Sequence, residues 1–174
     1  MEANPADNPL LSTEYRIPFT RIGAEHVVPA VRHVLQEARE GIASFVASTG
    51  ERTYANTIER LDSILEPVDR VVGIVAHLVG VRDSAELRDA YDEVNPEVAE
   101  FYAGLAANEA LWGVIRAYAE TEEAKSLEGI RKRHLEKVVR SFVRAGADLP
   151  PEKKERVVAL QVELAKLRKR FSEN

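Results

Sequence analysis

Residues 56–78 read NTIERLDSILEPVDRVVGIVAHL, and the spacing of their apolar positions decides the fold class. Ile58, Leu61, Leu65, Val68, Val72, Val75 and Leu78 recur at intervals of three and four, which aligns them along one side of an α-helix. A half-buried strand would need alternation with period two, and no part of the chain sustains it. Asn56 followed by Glu59 has the form of a capping box, so the helix is expected to start there. Pro67 removes one backbone donor inside the stripe, so a kink is expected at that point.

The same periodicity extends in both directions. Upstream, Val27, Val31, Val34, Ile42 and Phe45 predict a helix from about Glu25 to Ala47, with Pro29 tolerated in its first turn and Gly50 ending it. Downstream, Asp83 and Glu86 form a second candidate capping box. It opens a helix with the seam Leu87, Tyr91, Val94, Val98, Phe101 and Leu105, bent or split at Pro96. Asn108 caps a short helix containing Leu111, Trp112 and Ile115, and the acidic stretch from Glu120 to Glu123 reads as a connector. Leu127, Ile130, Val138 and Phe142 give the next helix its apolar face, and Gly146 is its left-handed stop. Pro150 and Pro151 suit the first turn of a last helix, whose seam at Val157, Leu160, Leu164, Leu167 and Phe171 has heptad spacing. The fold class is therefore all-α: an irregular antiparallel bundle of about six helices with short connections, preceded by an extended segment over residues 1–22. No self-similarity at a fixed period points to a regular solenoid.

A chain of 174 residues is long enough to bury its own core, and without cysteine it has neither a disulfide framework nor a thiolate metal site. Cysteine-free composition suits a reducing cytoplasm, which is the expected location. Met1 to Ser12 has neither a basic lead nor an apolar core, so no secretory leader is expected, and no apolar run is long enough to span a membrane. The formal net charge of -5 is unevenly spread, with an acidic excess before residue 125 and a basic excess after it. That asymmetry is read as two solvated helix faces of opposite sign. A single-strand nucleic-acid binder would interleave exposed aromatics with arginine, and the basic part lacks that pattern, so no nucleic-acid partner is expected.

Candidate chemistry is sparse. A helix-borne zinc peptidase site needs two histidines four residues apart with a glutamate beside the first. From His134 the chain reads His-Leu-Glu-Lys-Val, with no second histidine one turn on. His26 and His33 share a helix but lie two turns apart, roughly 10 Å of rise, too far to hold one ion unaided. His77 stands apart from both. Ser44, Ser48, Ser63, Ser84, Ser126 and Ser141 have no local histidine partner and no strand-turn-helix elbow. Trp112 with Tyr118 could line a peptide groove, although aromatics in an amphipathic helix are more often packing anchors. No catalytic residue and no metal ligand is assigned, and substrate-binding residues are not identifiable.

Several short strings, taken in order, resemble the thimet-oligopeptidase-type zinc metallopeptidases, above all the oligopeptidase A and peptidyl-dipeptidase branch. They are Asn8-Pro9-Leu10-Leu11, Ile17-Pro18-Phe19, Glu25-His26-Val27 with Pro29-Ala30-Val31, Thr53-Tyr54-Ala55-Asn56-Thr57, His77-Leu78, and Glu86-Leu87-Arg88 with Ala90-Tyr91. Arg140-Ser141-Phe142 leading to Gly146 and Leu149-Pro150, then Phe171-Ser172-Glu173-Asn174, complete the set. Ala55 and Ser141 depart from the family, which usually has an acidic residue at both places. The resemblance implies that residues 23–174 are the helical N-terminal domain of a longer peptidase and that zinc belongs to a catalytic domain beyond this chain. It further implies that the chain partners that catalytic domain, walls a channel admitting short peptides, and is inert alone. A free-standing helical interaction module is the alternative. The uncapped seam from Val157 to Phe171 also predicts self-association through the terminal helices.

Overall fold

The computed structural model describes residues 7–82 and 84–150, together with 152–154, 156, 157, 160, 163, 164 and 167. Helices and single helical turns account for all regular structure among the described residues, and there is no strand among them. The chain divides into two compact units, Met1–Tyr102 and Ala103–Asn174.

The first unit is built on an antiparallel helix pair. Helix α1 spans Val27–Ala47, and α2 spans Arg60–Val81 after a π-helical turn at Ala55–Glu59. Val27, Val31, Val34, Ile42 and Phe45 are all buried as their spacing requires, joined by Ala30, Leu35 and Ala38. On α2 the buried set is broader than one stripe: Leu61, Val68, Val75 and Leu78 are buried, but so are Ile64, Val71 and Ile74, whereas Leu65 and Val72 are only half-buried. The backbones approach closely near the connection, where a Cβ on Gly41 would stand 3.0 Å from the Ile64 side chain. Each fully buried valine or leucine in such a seam stabilises by roughly 1.5–3 kcal/mol.

The connection between the two helices is held by reciprocal caps. Arg52 donates to the Phe45 and Ser48 carbonyls at 3.2 and 2.6 Å, placing a cation at the negative end of α1. The start of the second helix differs from the expected Asn56–Glu59 box. Asn56 N–H donates to the Thr53 hydroxyl at 3.3 Å, and Thr53 N–H donates to Asn56 Oδ1 at 2.9 Å. The box is thus formed three residues earlier, because Thr53 supplies the hydroxyl and the amide of Asn56 does what a glutamate would otherwise do.

Ahead of α1, short 3-10 turns at Pro9–Leu11, Phe19–Arg21 and Ala24–His26 lie along the pair. Leu10 is wholly buried there. Helix α3 spans Ala85–Ala107 and runs unbroken through Pro96, as α2 does through Pro67. A proline forfeits one hydrogen bond, and neither loss splits its helix. At the start of α3 the Ser84 hydroxyl accepts from Leu87 N–H at 3.2 Å. Asp83, the expected cap, lies outside the described residues.

In the second unit α4 spans Glu109–Ala119, α5 Glu122–Ser126 and α6 Gly129–Arg144. Asn108 caps α4 as expected, its side chain accepting from Leu111 N–H at 2.9 Å. The acidic connector proves to be partly the short helix α5, because the Thr121 hydroxyl accepts from Ala124 N–H at 3.1 Å and starts a turn. Helix α6 is stopped by Gly146, two residues past its end, with φ of 95°. Ala147 N–H reaches the Phe142 carbonyl and Gly146 N–H the Val143 carbonyl, both at 3.0 Å, which is the Schellman pattern. On α6 the buried residues are Leu135 and Phe142, whereas Ile130 is 88% exposed, against the expected face. The described residues from 152 to 167 are helical where assigned, and Phe171 lies outside them.

Candidate functional site

The four histidines are not gathered into one centre. His26 Nδ1 accepts from Gly23 N–H at 2.9 Å, and the His26 carbonyl accepts from the Asn8 amide at 2.9 Å, so this residue closes the turn that leads into α1. His33 lies 3.4 Å from Glu37 one turn along α1. His77 stands on the exposed side of α2 with its ring 6.0 Å from that of Phe19. His134 belongs to α6. Among the described residues no three His, Cys, Asp or Glu side chains are grouped so as to hold a metal ion.

Of the six serines in or beside the helices that were considered as nucleophiles, five spend their hydroxyls locally. Ser48, Ser63, Ser126 and Ser141 each donate to a carbonyl three or four residues back at 2.7 Å, and Ser84 is the α3 cap. Ser44 lines a shallow depression with Phe45, Ser48, Asn56 and Ser63 beside the π-turn. A hydroxyl committed to its own helix is not poised as a nucleophile.

Trp112 and Tyr118 are packing anchors. Tyr118 is fully buried and Trp112 is 8% exposed, stacked on Phe142 with ring centroids 5.7 Å apart and planes 17° from parallel. Only the remaining edge of Trp112 reaches a surface depression shared with Arg116, Val139 and Val143.

The first unit carries two tie networks that single-residue spacing does not reveal. The N-terminal strap is fixed by Asn8, whose Oδ1 also accepts from Leu10 N–H at 3.0 Å, by Arg70 donating to the Ser12 carbonyl, and by Arg82 donating to the Phe19 and Ile22 carbonyls at 3.4 and 3.5 Å. Helix α3 is tied to α1 by Arg32, which reaches Glu93 at 2.9 Å and Glu97 at 2.7 Å, and by Arg39 lying over the Phe101 ring. The hydrogen bond from Arg32 holds the Glu97 carboxyl below the usual carboxylate range. Tyr102 donates to Asp69 on α2, and burial followed by that bond pushes its phenol well above the ordinary range.

Strap and helix end together leave a groove lined by Phe19, Thr20, His77, Leu78, Val81 and Arg82. Val81 is 68% and Phe19 39% exposed. Its lining is largely apolar, with one imidazole and one guanidinium. The strings that carry the family resemblance largely coincide with these structural devices: Asn8 to Leu10 is the strap anchor, Thr53 to Thr57 the helix start, and Phe142 to Gly146 the helix stop.

No helix among the described residues is long and apolar enough to cross a membrane. The profile of the neurolysin/thimet oligopeptidase N-terminal domain matches residues 31–154. Oligopeptidase A of Escherichia coli is 31% identical over 167 residues, covering 96% of this chain and 25% of that protein. A probable cytosolic oligopeptidase A of Arabidopsis thaliana is 31% identical over 169 residues, covering 97% of this chain and 24% of the relative. A dipeptidyl carboxypeptidase of Escherichia coli is 26% identical over 155 residues, covering 89% and 23%. The chain spans about a quarter of the length of the curated relatives it matches.

Proposed function

We propose that this chain, which belongs to the neurolysin/thimet oligopeptidase family through its N-terminal domain, is the helical, non-catalytic part of a zinc-dependent oligopeptidase acting on short peptides in the cytoplasm. In this reading it partners the catalytic portion of the same polypeptide and walls part of the channel through which peptides reach the metal. The observation that carries the reading is the family match over residues 31–154 in a chain whose sequence has no His-Glu-x-x-His segment. A wall selects by shape: folded proteins are kept out sterically while extended peptides pass. The purified chain, assayed with zinc and a quenched fluorescent peptide, is expected to show no metal-dependent turnover. Chelator-sensitive hydrolysis above background would overturn the inert role.

One observation favours a second reading, a free-standing interaction module. Leu160, Leu164 and Leu167 are 47%, 47% and 54% exposed on one helical seam, an apolar edge open to a partner helix. The gene separates the two. The peptidase reading expects an open frame continuing into a zinc-binding helix, and the module reading expects a stop codon after Asn174.

A further inference from the structure

The turn that joins the strap to α1 is built on a histidine where a capping box ordinarily has a glutamate. In such a box the side chain at the third position accepts the backbone N–H of the cap residue, and glutamate can do so at any pH above about 4.3. Here the cap is Gly23 and the acceptor is Nδ1 of His26, 2.9 Å from the Gly23 nitrogen. Accepting at Nδ1 requires a neutral ring with its proton on Nε2. Histidine side chains take up a second proton at about pH 6.5, roughly two units above glutamate, and both ring nitrogens are then donors. A protonated ring at this place would set one N–H against another.

The same Nδ1 has a second partner at hand. Glu25 Oε1 stands 3.6 Å from it, and the carboxylate folds back over Gly23, where a Cβ would collide with it. We infer that His26 is a pH-sensitive latch on the N-terminal strap: neutral, it holds the Gly23 N–H; protonated, it gives up that bond and donates to Glu25. The held form carries one proton fewer, so falling pH favours release. The near end of the strap is otherwise tied by Arg82, which reaches the Phe19 and Ile22 carbonyls at 3.4 and 3.5 Å, long for hydrogen bonds. The far end does not depend on the ring, because Asn8 donates to the backbone carbonyl of His26 and Arg70 to that of Ser12. Release therefore loosens the stretch from Phe19 to Gly23 and leaves Asn8 to Leu10 in place. The other charged or titratable groups on the elements around this turn are engaged elsewhere or face water. On α2, Arg70 and Arg82 bind those carbonyls and His77 lies against the Phe19 ring. On α1, Arg32 binds Glu93 and Glu97, and His33 lies beside Glu37. Glu14, Arg16 and Arg21 are exposed on the strap itself.

The test is amide hydrogen exchange followed by NMR on the whole chain, expressed as protection relative to the unfolded rate at each pH. Between pH 7.5 and pH 5 the protection of the Gly23 amide should fall about tenfold, the scale of one lost hydrogen bond, while that of Leu10, held by Asn8 Oδ1, stays level. His26→Gln supplies an acceptor that gains no proton, so it should hold Gly23 across the whole range. Glu25→Gln removes the second partner and should move the fall to lower pH. His77→Gln should leave the fall unchanged. A Gly23 amide equally protected at both ends of the range would overturn the inference, as would a fall that persists in His26→Gln, one that vanishes in His77→Gln, or a loss shared by Leu10.

Discussion

Helices α1 and α6 are both clearly two-sided in sequence, yet eight of the 21 residues of α1 are buried against two of the 16 of α6. The difference is one of partners. In its own unit α1 has α2 along its length and the N-terminal strap besides, whereas α6 meets α4 with the Phe142 ring stacked on Trp112. Sidedness in a sequence states which face can be buried, and packing partners decide how much of it is. Among the described residues, α1 is thus held by a continuous apolar seam and α6 by the two anchors Leu135 and Phe142.

The contrast is broken most directly by truncating one apolar side chain in each helix. Leu35→Ala, at a fully buried position of α1, should lower stability by about 2–5 kcal/mol. Ile130→Ala on α6 should change it by less than about 0.5 kcal/mol, since its side chain is already in water. Urea unfolding followed by circular dichroism decides, and equal losses for the two would refute the division between seam and anchor.

Capping sharpens the comparison, because the same device opens a helix in each unit. Thr53→Ala removes the hydroxyl that receives Asn56 N–H, and Asn108→Ala removes the acceptor for Leu111 N–H. Each should lower stability by about 1 kcal/mol. Hydrogen exchange should show faster opening near the affected helix start. A Thr53→Ala chain as stable as wild type would return the cap to Asn56.

The smallest effect is a pH dependence that belongs to the first unit. The phenol of Tyr102 titrates higher in the folded chain than in the unfolded one, where its pKa is about 10. The folded state thus holds its proton more tightly, so this group's contribution is complete below the unfolded value and is lost as pH rises past it. Wild type should lose stability on the alkaline side, and Tyr102→Phe should flatten that limb. Parallel curves from pH 8 to 11.5 would show that the bond to Asp69 has no such role.

Much of the fold was legible from spacing. The all-α class, the α1 seam, the Asn108 cap and the Gly146 stop each rest on residues within one or two turns of one another, where hydrogen-bond geometry leaves little choice. Of the candidate site, the histidine spacing could be read from the sequence, but not the bonds these residues make: His26 accepts from Gly23 N–H, and His33 lies beside Glu37.

The sequence by itself determined the class of structure, the places where several helices start or stop, and the order of strings that marks the family. Tertiary structure decided which side chains those helices bury. On α2, apolar residues cover more than one stripe, so period alone could not choose Ile64, Val71 and Ile74 over Leu65 and Val72; α1 and the strap made the choice by occupying those directions. On α6 the expected Ile130 faces water, because burial needs a neighbour and spacing along one helix carries no information about where the neighbour ends. The ties from Arg32 to Glu93 and Glu97 join residues more than sixty positions apart, a distance over which local periodicity has no reach.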